Sequence, residues 1–208
     1  MSKNLIILIF LIVAGYYWHQ QKDVAVNLEE IPGLNLAYDD KLSIEEPPIQ
    51  KKLGSQVQPI RAGGYTITPL ASFQAQARVL GAKHYSIDRE ADLAPVDLAL
   101  GWGPMAQQEV LDTLSISQSG RFYHWQTDDF PIPRRDIETN SANMHFIPAS
   151  PAIEKQLKQI DAGDQVKFKG YLVKIDADDG WRWNSSMTRN DTGGGACELV
   201  LIDDITRL

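Results

Sequence analysis

Between Ser150 and Ile175 a short amphipathic helix runs straight into a long alternating strand, and that join sets the topology expected around it. Ser150 is a favourable N-cap, Pro151 suits the first helical turn, and Ile153, Leu157 and Ile160 recur at i, i+4 and i+7 on one face. Asp161-Ala-Gly-Asp closes the helix as a turn. From Gln165 to Ile175, Val166, Phe168, Gly170 and Leu172 alternate with Lys167, Lys169, Tyr171 and Val173, the period of a strand. A glycine at the centre of such a strand marks a bend.

Other strand signals flank this unit. Tyr65-Thr-Ile-Thr and Phe73 to Leu80 alternate apolar and polar residues, Gly81 ends the run, and His84 to Ile87 resumes it after a turn. Asp88 to Pro104 has mixed charge and no steady period, which predicts a structured loop with one turn of helix. Met105 to Leu114 reads as a helix, Arg121 to Trp125 as a strand, Asp178-Asp179-Gly180 as a hairpin turn, Trp181 to Ser185 as its return, Thr192 to Gly195 as a loop and Cys197 to Ile202 as a last strand. The pattern is mostly β with short helices, an α+β chain. A helix before the fourth strand and a glycine within that strand predict a partly open, OB-like β-barrel.

With 208 residues the chain has room for one core, a tail and a membrane segment. Leu5 to Ala14 is uncharged and apolar, and with Tyr16, Tyr17 and Trp18 it would cover about 21 Å as a helix against a hydrocarbon core of about 30 Å. The aromatic trio favours a signal anchor, a transmembrane helix left in place, while Val13-Ala14-Gly15 would also suit a signal peptidase. Lys3 biases the N-terminus to the cytoplasm, which places the rest across the membrane. The expected organisation is 1–19 as anchor or signal peptide, 20–62 as an extended linker rich in proline and acid, and 63–208 as the mostly-β domain. Pro47-Pro48 and the pairs Glu29-Glu30, Asp39-Asp40 and Glu45-Glu46 carry the linker reading. Within it, Ile31 to Leu36 or Leu42 to Ile44 are candidate docking strands for a partner or for the domain's own edge.

The net charge of −7 gives no basic footprint for nucleic acid, and a single cysteine excludes any disulfide within the chain and any cysteine-based zinc cluster. Cys197 with His145 and an acidic orienter, Asp191, is the sharpest catalytic idea; the ordinary alternative is a small packed thiol at the head of an apolar strand. His84, His124 and His145 with Asp88 or Asp92 form no compact metal motif. Asp88, Glu90, Asp92 and Asp97 would act as acid and base only if their loop folds back on itself. Gly193-Gly194-Gly195 lacks the following Lys-Ser or Lys-Thr of a phosphate loop. No cofactor motif is present. Trp102, Tyr123, Trp125, Trp181 and Trp183, with Arg121, Arg182 and Arg189 nearby, suit either core or a stacking platform for an envelope glycan or protein.

Asp88-Arg-Glu-Ala-Asp-Leu through Gly101-Trp-Gly-Pro, Ser141-Ala-Asn-Met-His, and Thr188-Arg-Asn-Asp-Thr-Gly through Ala196-Cys-Glu resemble an uncharacterised family of bacterial exported or membrane-anchored proteins. The likeness spans roughly Tyr65 to Ile205. It implies a location in the bacterial envelope and supplies no catalytic residues; together with the apolar N-terminus and Lys3, the expected placement is single-pass in the bacterial inner membrane with the C-terminal domain in the periplasm. The expected role is a non-enzymatic tethered domain binding an envelope component, the rival an exported hydrolase using Cys197 and His145 or the acidic loop Asp88 to Asp97.

Overall fold

One strand of 20 residues, Tyr65–His84 (β3), organises the sheet by serving two neighbours in turn. The structure is a computed structural model that describes residues 5–7, 9, 34, 36–54, 56–189 and 196–208. Residues 65–78 of β3 pair antiparallel with Gln165–Ala177 (β8), and residues 78–84 pair antiparallel with Val96–Gly101 (β4). From β4 the pairing continues antiparallel to Ser141–Pro148 (β7), parallel to Glu198–Arg207 (β10) and antiparallel back to β8. The path of hydrogen bonds therefore closes into a ring of five strands. Register shifts at Pro69/Ala71 and Val79/Gly81 in β3, and at Ile202/Asp204 in β10, supply the local bends that closure requires.

The inward set fills the ring. Phe73, Phe146 and Phe168 meet there, with ring centroids 6.1 and 5.2 Å apart, opposite the small Ala71, Ala75 and Ala77 of β3. The helix Pro151–Leu157 (α4) adds Ile153, Leu157 and the following Ile160 to this core. Its cap forms as the sequence predicts, with Ser150 Oγ accepting from the amide of Ile153.

A second apolar layer lies on the outer face of the ring, where Ile67, Tyr171, Val173, Ile175, Leu199 and Leu201 need cover. Much of that cover comes from the segment that the sequence reads as the second half of the linker. Leu34 is buried in this layer and Leu36, Leu53, Val57 and Ile60 pack against it. Ile49–Lys52 (β1) and Ile60–Ala62 (β2) add antiparallel to β3. Tyr38 donates to Asp204 (2.9 Å), Lys169 donates to the Leu36 carbonyl (2.7 Å), and Gln74 bonds the backbone of Ala37 and Asp39. The spacer reading of 20–62 thus fails over its second half, because the charges that keep a linker solvated alternate here with side chains an exposed sheet face buries.

Three other expectations change. Val96–Gly101 is a central strand where a loop was expected, because all six of its residues are buried and neither face carries the polar alternation of a half-exposed strand. The helix expected from Met105 to Leu114 is a 3-10 turn, Gly103–Ala106, followed by the one-turn helix Gln108–Leu111 (α2). Gly81 continues β3 at a register shift and does not end it. The remaining elements are the helix Arg89–Leu93 (α1), the hairpin Ser115–Ser119 (β5) and Phe122–Gln126 (β6), the helix Arg134–Thr139 (α3) and the short strand Arg182–Asn184 (β9). Among the described residues no helix is long and apolar enough to cross a membrane. Most of the Leu5 to Ala14 run, with Tyr16 to Trp18, lies outside the described residues, as do Asp191 and Gly193 to Gly195.

Candidate functional site

The β5–β6 hairpin turns on two residues, Gly120 and Arg121, with φ of 57° and 69°, the pair of positive angles that a type I′ turn needs. An arginine in that conformation is uncommon, and the surroundings hold it there. Arg121 Nη1 donates to the Ala94 carbonyl and to Asp97 Oδ1, both at 2.9 Å, and its guanidinium lies 3.8 Å from the centre of the Tyr85 ring. Its own carbonyl accepts from Asn143 Nδ2 at 3.0 Å. Gln118 Nε2 adds a bond to Asn143 Oδ1 at 2.8 Å. The hairpin tip is stapled in this way onto the outer face of β4 and β7.

Beneath the staple, Asp97 Oδ1 also lies 2.9 Å from His145 Nδ1, and the His145 ring sits 5.0 Å from that of Trp183. Asp97 and His145 are direct partners across β4 and β7, and both are buried.

Beside the hairpin opens a cavity of about 850 Å³, bounded by β6, α3, the first residues of β7 and the chain on either side of β10's start. Two guanidinium–carboxylate pairs form part of its wall, each against an aromatic ring. Arg134 donates to Glu138 at 2.8 Å and its guanidinium lies 5.8 Å from the Trp125 ring centre. Arg189 Nε lies 2.7 Å from Glu198 Oε1 and its guanidinium 5.3 Å from the Phe73 ring centre. Phe130 meets Trp125 edge-on at 6.0 Å and is 52% exposed, so an apolar surface faces the opening.

The candidates read from the sequence fall into three places. Trp125, Arg189, Cys197, Tyr123 and His124 line the cavity. Trp181 and Trp183 pack on the outer apolar layer with Tyr65, and Arg89 lies over Trp181; Arg182 points away and pairs with Asp176. Trp102 is in the interior of the ring, so it serves the core and cannot touch a ligand there. His145 and Asp97 are brought together but do not line the cavity, whereas Cys197 lines it and places Sγ 3.8 Å from the Arg121 carbonyl. The acidic loop does not present facing carboxylates. Asp88 caps α1 by accepting from the Ala91 amide at 2.7 Å and, with Asp97, flanks Arg121, 3.5 Å from Nη2. His84, His124 and His145 lie on three different strands, and among the described residues no three metal-ligating side chains converge.

Arg121 as the staple, and Phe130, Arg134, Glu138 and Asn143 around the cavity, escaped the sequence reading. The available signal was Ser119-Gly-Arg-Phe122 between two alternating runs, which marks a two-residue hairpin.

Tyr123 ties the hairpin to β7, donating to Ser141 Oγ at 2.6 Å while Ser141 Oγ donates to the Ile137 carbonyl. Burial pushes its phenol from 10.0 up to about 12. A pKa raised by folding means that the neutral phenol contributes stability in full below pH 10, its ordinary value, and that this contribution is lost as pH rises towards 12. Alkaline titration is expected to show phenolate absorbance from Tyr123 appearing late and together with loss of tertiary structure; Tyr123→Phe removes that step, and an early phenolate in folded protein contradicts the burial.

No family model, curated protein or solved structure matches the chain.

Proposed function

We propose that the chain is a membrane-tethered binding protein of the bacterial envelope, in which an OB-like barrel holds another envelope component in the cavity beside β6 without covalent chemistry. The barrel reading is supported by the order of the five ring strands. Counted along the chain they pair first–second–third–fifth–fourth–first, with α4 before the fourth and Gly170 inside it. The apolar Leu5 to Ala14 run, Lys3, and the resemblance to exported and anchored bacterial proteins support the location. A tether holds the domain at high effective concentration near partners on the same membrane.

The observation that carries the binding reading is the cavity itself, which has the size of small-ligand sites and whose wall includes exposed Phe122 and Phe130 and the pairs Arg134–Glu138 and Arg189–Glu198. The test is in-cell photo-cross-linking. A photoreactive residue at exposed Asp128, on the cavity rim, is expected to capture a discrete envelope component that Trp125→Ala loses. The same probe at exposed Lys155, on α4, is expected to capture nothing. Equal capture at both positions, or none at Asp128, overturns the reading. Orientation is checked separately: alkaline phosphatase fused after Leu208 is expected to be active, and an inactive fusion removes the periplasmic location.

A hydrolase is the second reading, and the Asp97–His145 pair favours it, since an aspartate against Nδ1 is how a base is oriented. Against it, the imidazole lies under the Arg121 staple and the thiol opens elsewhere. Cys197→Ala is therefore expected to leave Asp128 cross-linking unchanged and to alter stability by no more than about 1 kcal/mol. Loss of a cellular phenotype in a fully folded Cys197→Ala protein would decide for the hydrolase.

A further inference from the structure

Seven consecutive residues, 122 to 128, line the cavity. A strand that offered one face would contribute every second residue, so an unbroken run means that the cavity follows the strand's edge. Which backbone groups point into it follows from the hairpin. In a two-residue turn the Ser119 carbonyl accepts from the Phe122 amide. The antiparallel alternation then turns the backbone N–H and C=O of Phe122, His124 and Gln126 towards β5, and those of Tyr123 and Trp125 away from it. Among the described residues, no backbone or side-chain hydrogen bond engages those outward groups.

Sheet edges left open are a hazard that proteins blunt with charge, proline, bulges or shortness. The edge strands of the larger sheet follow that rule: β1 carries Lys51 and Lys52, β2 carries Arg61, and β9 is three residues long with Arg182. In β6, Phe122-Tyr-His-Trp-Gln has no lysine, arginine, carboxylate or proline, and its register with β5 is unbroken. Exposed Phe122 and Phe130 stand along the same groove.

We infer that β6 is a strand-addition site, which binds an extended segment of a partner protein with apolar side chains at alternate positions. The inference rests on the cavity being a binding site and adds the class of ligand. An extended backbone alone places donors and acceptors at the two-residue period of Tyr123 and Trp125, while its alternate side chains reach Phe122 and Phe130. A cavity of about 850 Å³ is on the scale of a short segment.

The test uses the full chain in lipid nanodiscs and a phage-displayed library of random linear peptides. Selected peptides are expected to show apolar residues at every second position. On binding, amide exchange at Tyr123 and Trp125 is expected to slow by about tenfold or more, while Phe122, His124 and Gln126 are already slow in the free protein. N-methylation of the peptide at alternate amides is expected to weaken binding by about tenfold, and at the intervening amides far less.

Aperiodic effects of N-methylation, or unchanged exchange at Tyr123 and Trp125, overturn strand addition. So does a dimer whose Tyr123 and Trp125 amides are protected without peptide, which gives the edge to a second copy. If no peptide is selected while Asp128 still cross-links an envelope glycan, the cavity remains a binding site and strand addition falls alone. If Asp128 captures nothing either, both readings fall.

Discussion

Asp97→Ala is expected to destabilise the domain by about 3 kcal/mol, the lower end of the cost of breaking a buried pair, because Arg121 keeps the more distant and half-exposed Asp88. The Asp97 side chain is 1% exposed and that of Arg121 15%, so solvent cannot replace the lost contact. Removing the carboxylate leaves the guanidinium with the Ala94 carbonyl, the Tyr85 ring and the half-exposed Asp88, 3.5 Å from Nη2, and it also removes the group that faces His145 Nδ1. At about 2–4 °C per kcal/mol for a domain of this size, the midpoint should fall by roughly 10 °C in thermal denaturation. Arg121→Ala should cost a similar amount for the opposite reason. The double variant Asp97→Leu with Arg121→Leu is expected to be less harmful than the sum of the single ones, because no charge is then buried alone. A loss below about 1 kcal/mol in both single variants would show that the pair is solvated and that the staple does not hold the hairpin.

The second large effect concerns Gly170. A Cβ at this position would press into the Leu201 carbonyl and lie 3.1 Å from the Ile202 Cα, atoms of the neighbouring strand that cannot rotate away. Gly170 pairs with Phe73 on one side and Ile202 on the other, close to the register shift in β10, so β8 has no free side towards which to move. Gly170→Ala is expected to cost about 3 kcal/mol and Gly170→Val more, read by denaturant unfolding. Gly180→Ala is the contrasting control. That glycine has a positive φ and open space around it, so the substitution should cost less, through backbone strain alone. Equal losses at the two glycines would mean that contact with β10 is not what position 170 requires.

How legible the fold was depended on what each segment faces. Helix α4 and strand β8 could be read because each has a single apolar face, with Ile153 and Leu157 at helical spacing and Val166, Phe168 and Leu172 at the spacing of a strand. Strand β4 could not, since Val96, Leu98 and Leu100 face the core while Asp97 and Ala99 are buried on the other side. The second half of the linker was misread because Leu34, Leu53, Val57 and Ile60 are scattered among prolines and charges, and only the three-dimensional sheet shows the face they cover. For the site, aromatic and arginine content led to Trp125 and Arg189, but the same criterion selected Trp102, which is core. The pairing of Asp97 with His145 had no local signal: it depends on the cross-strand register of two segments separated by the hairpin and α3.

The parallel pairing of β10 with β7 bears on how such a domain is made. β10 is the last of the ring strands to be synthesised, yet it sits between β7 and β8. Until it arrives, both of those strands keep a bare flank, and Tyr38 has no Asp204 to meet. Assembly from such distant pairings belongs to the slow end of folding, milliseconds to seconds, and the ring closes only once residues up to about 207 have been released. A chain cut short before Glu198 keeps Leu172 and Phe146 open to any other sticky polypeptide nearby, so its maturation depends on the last ten strand residues arriving promptly.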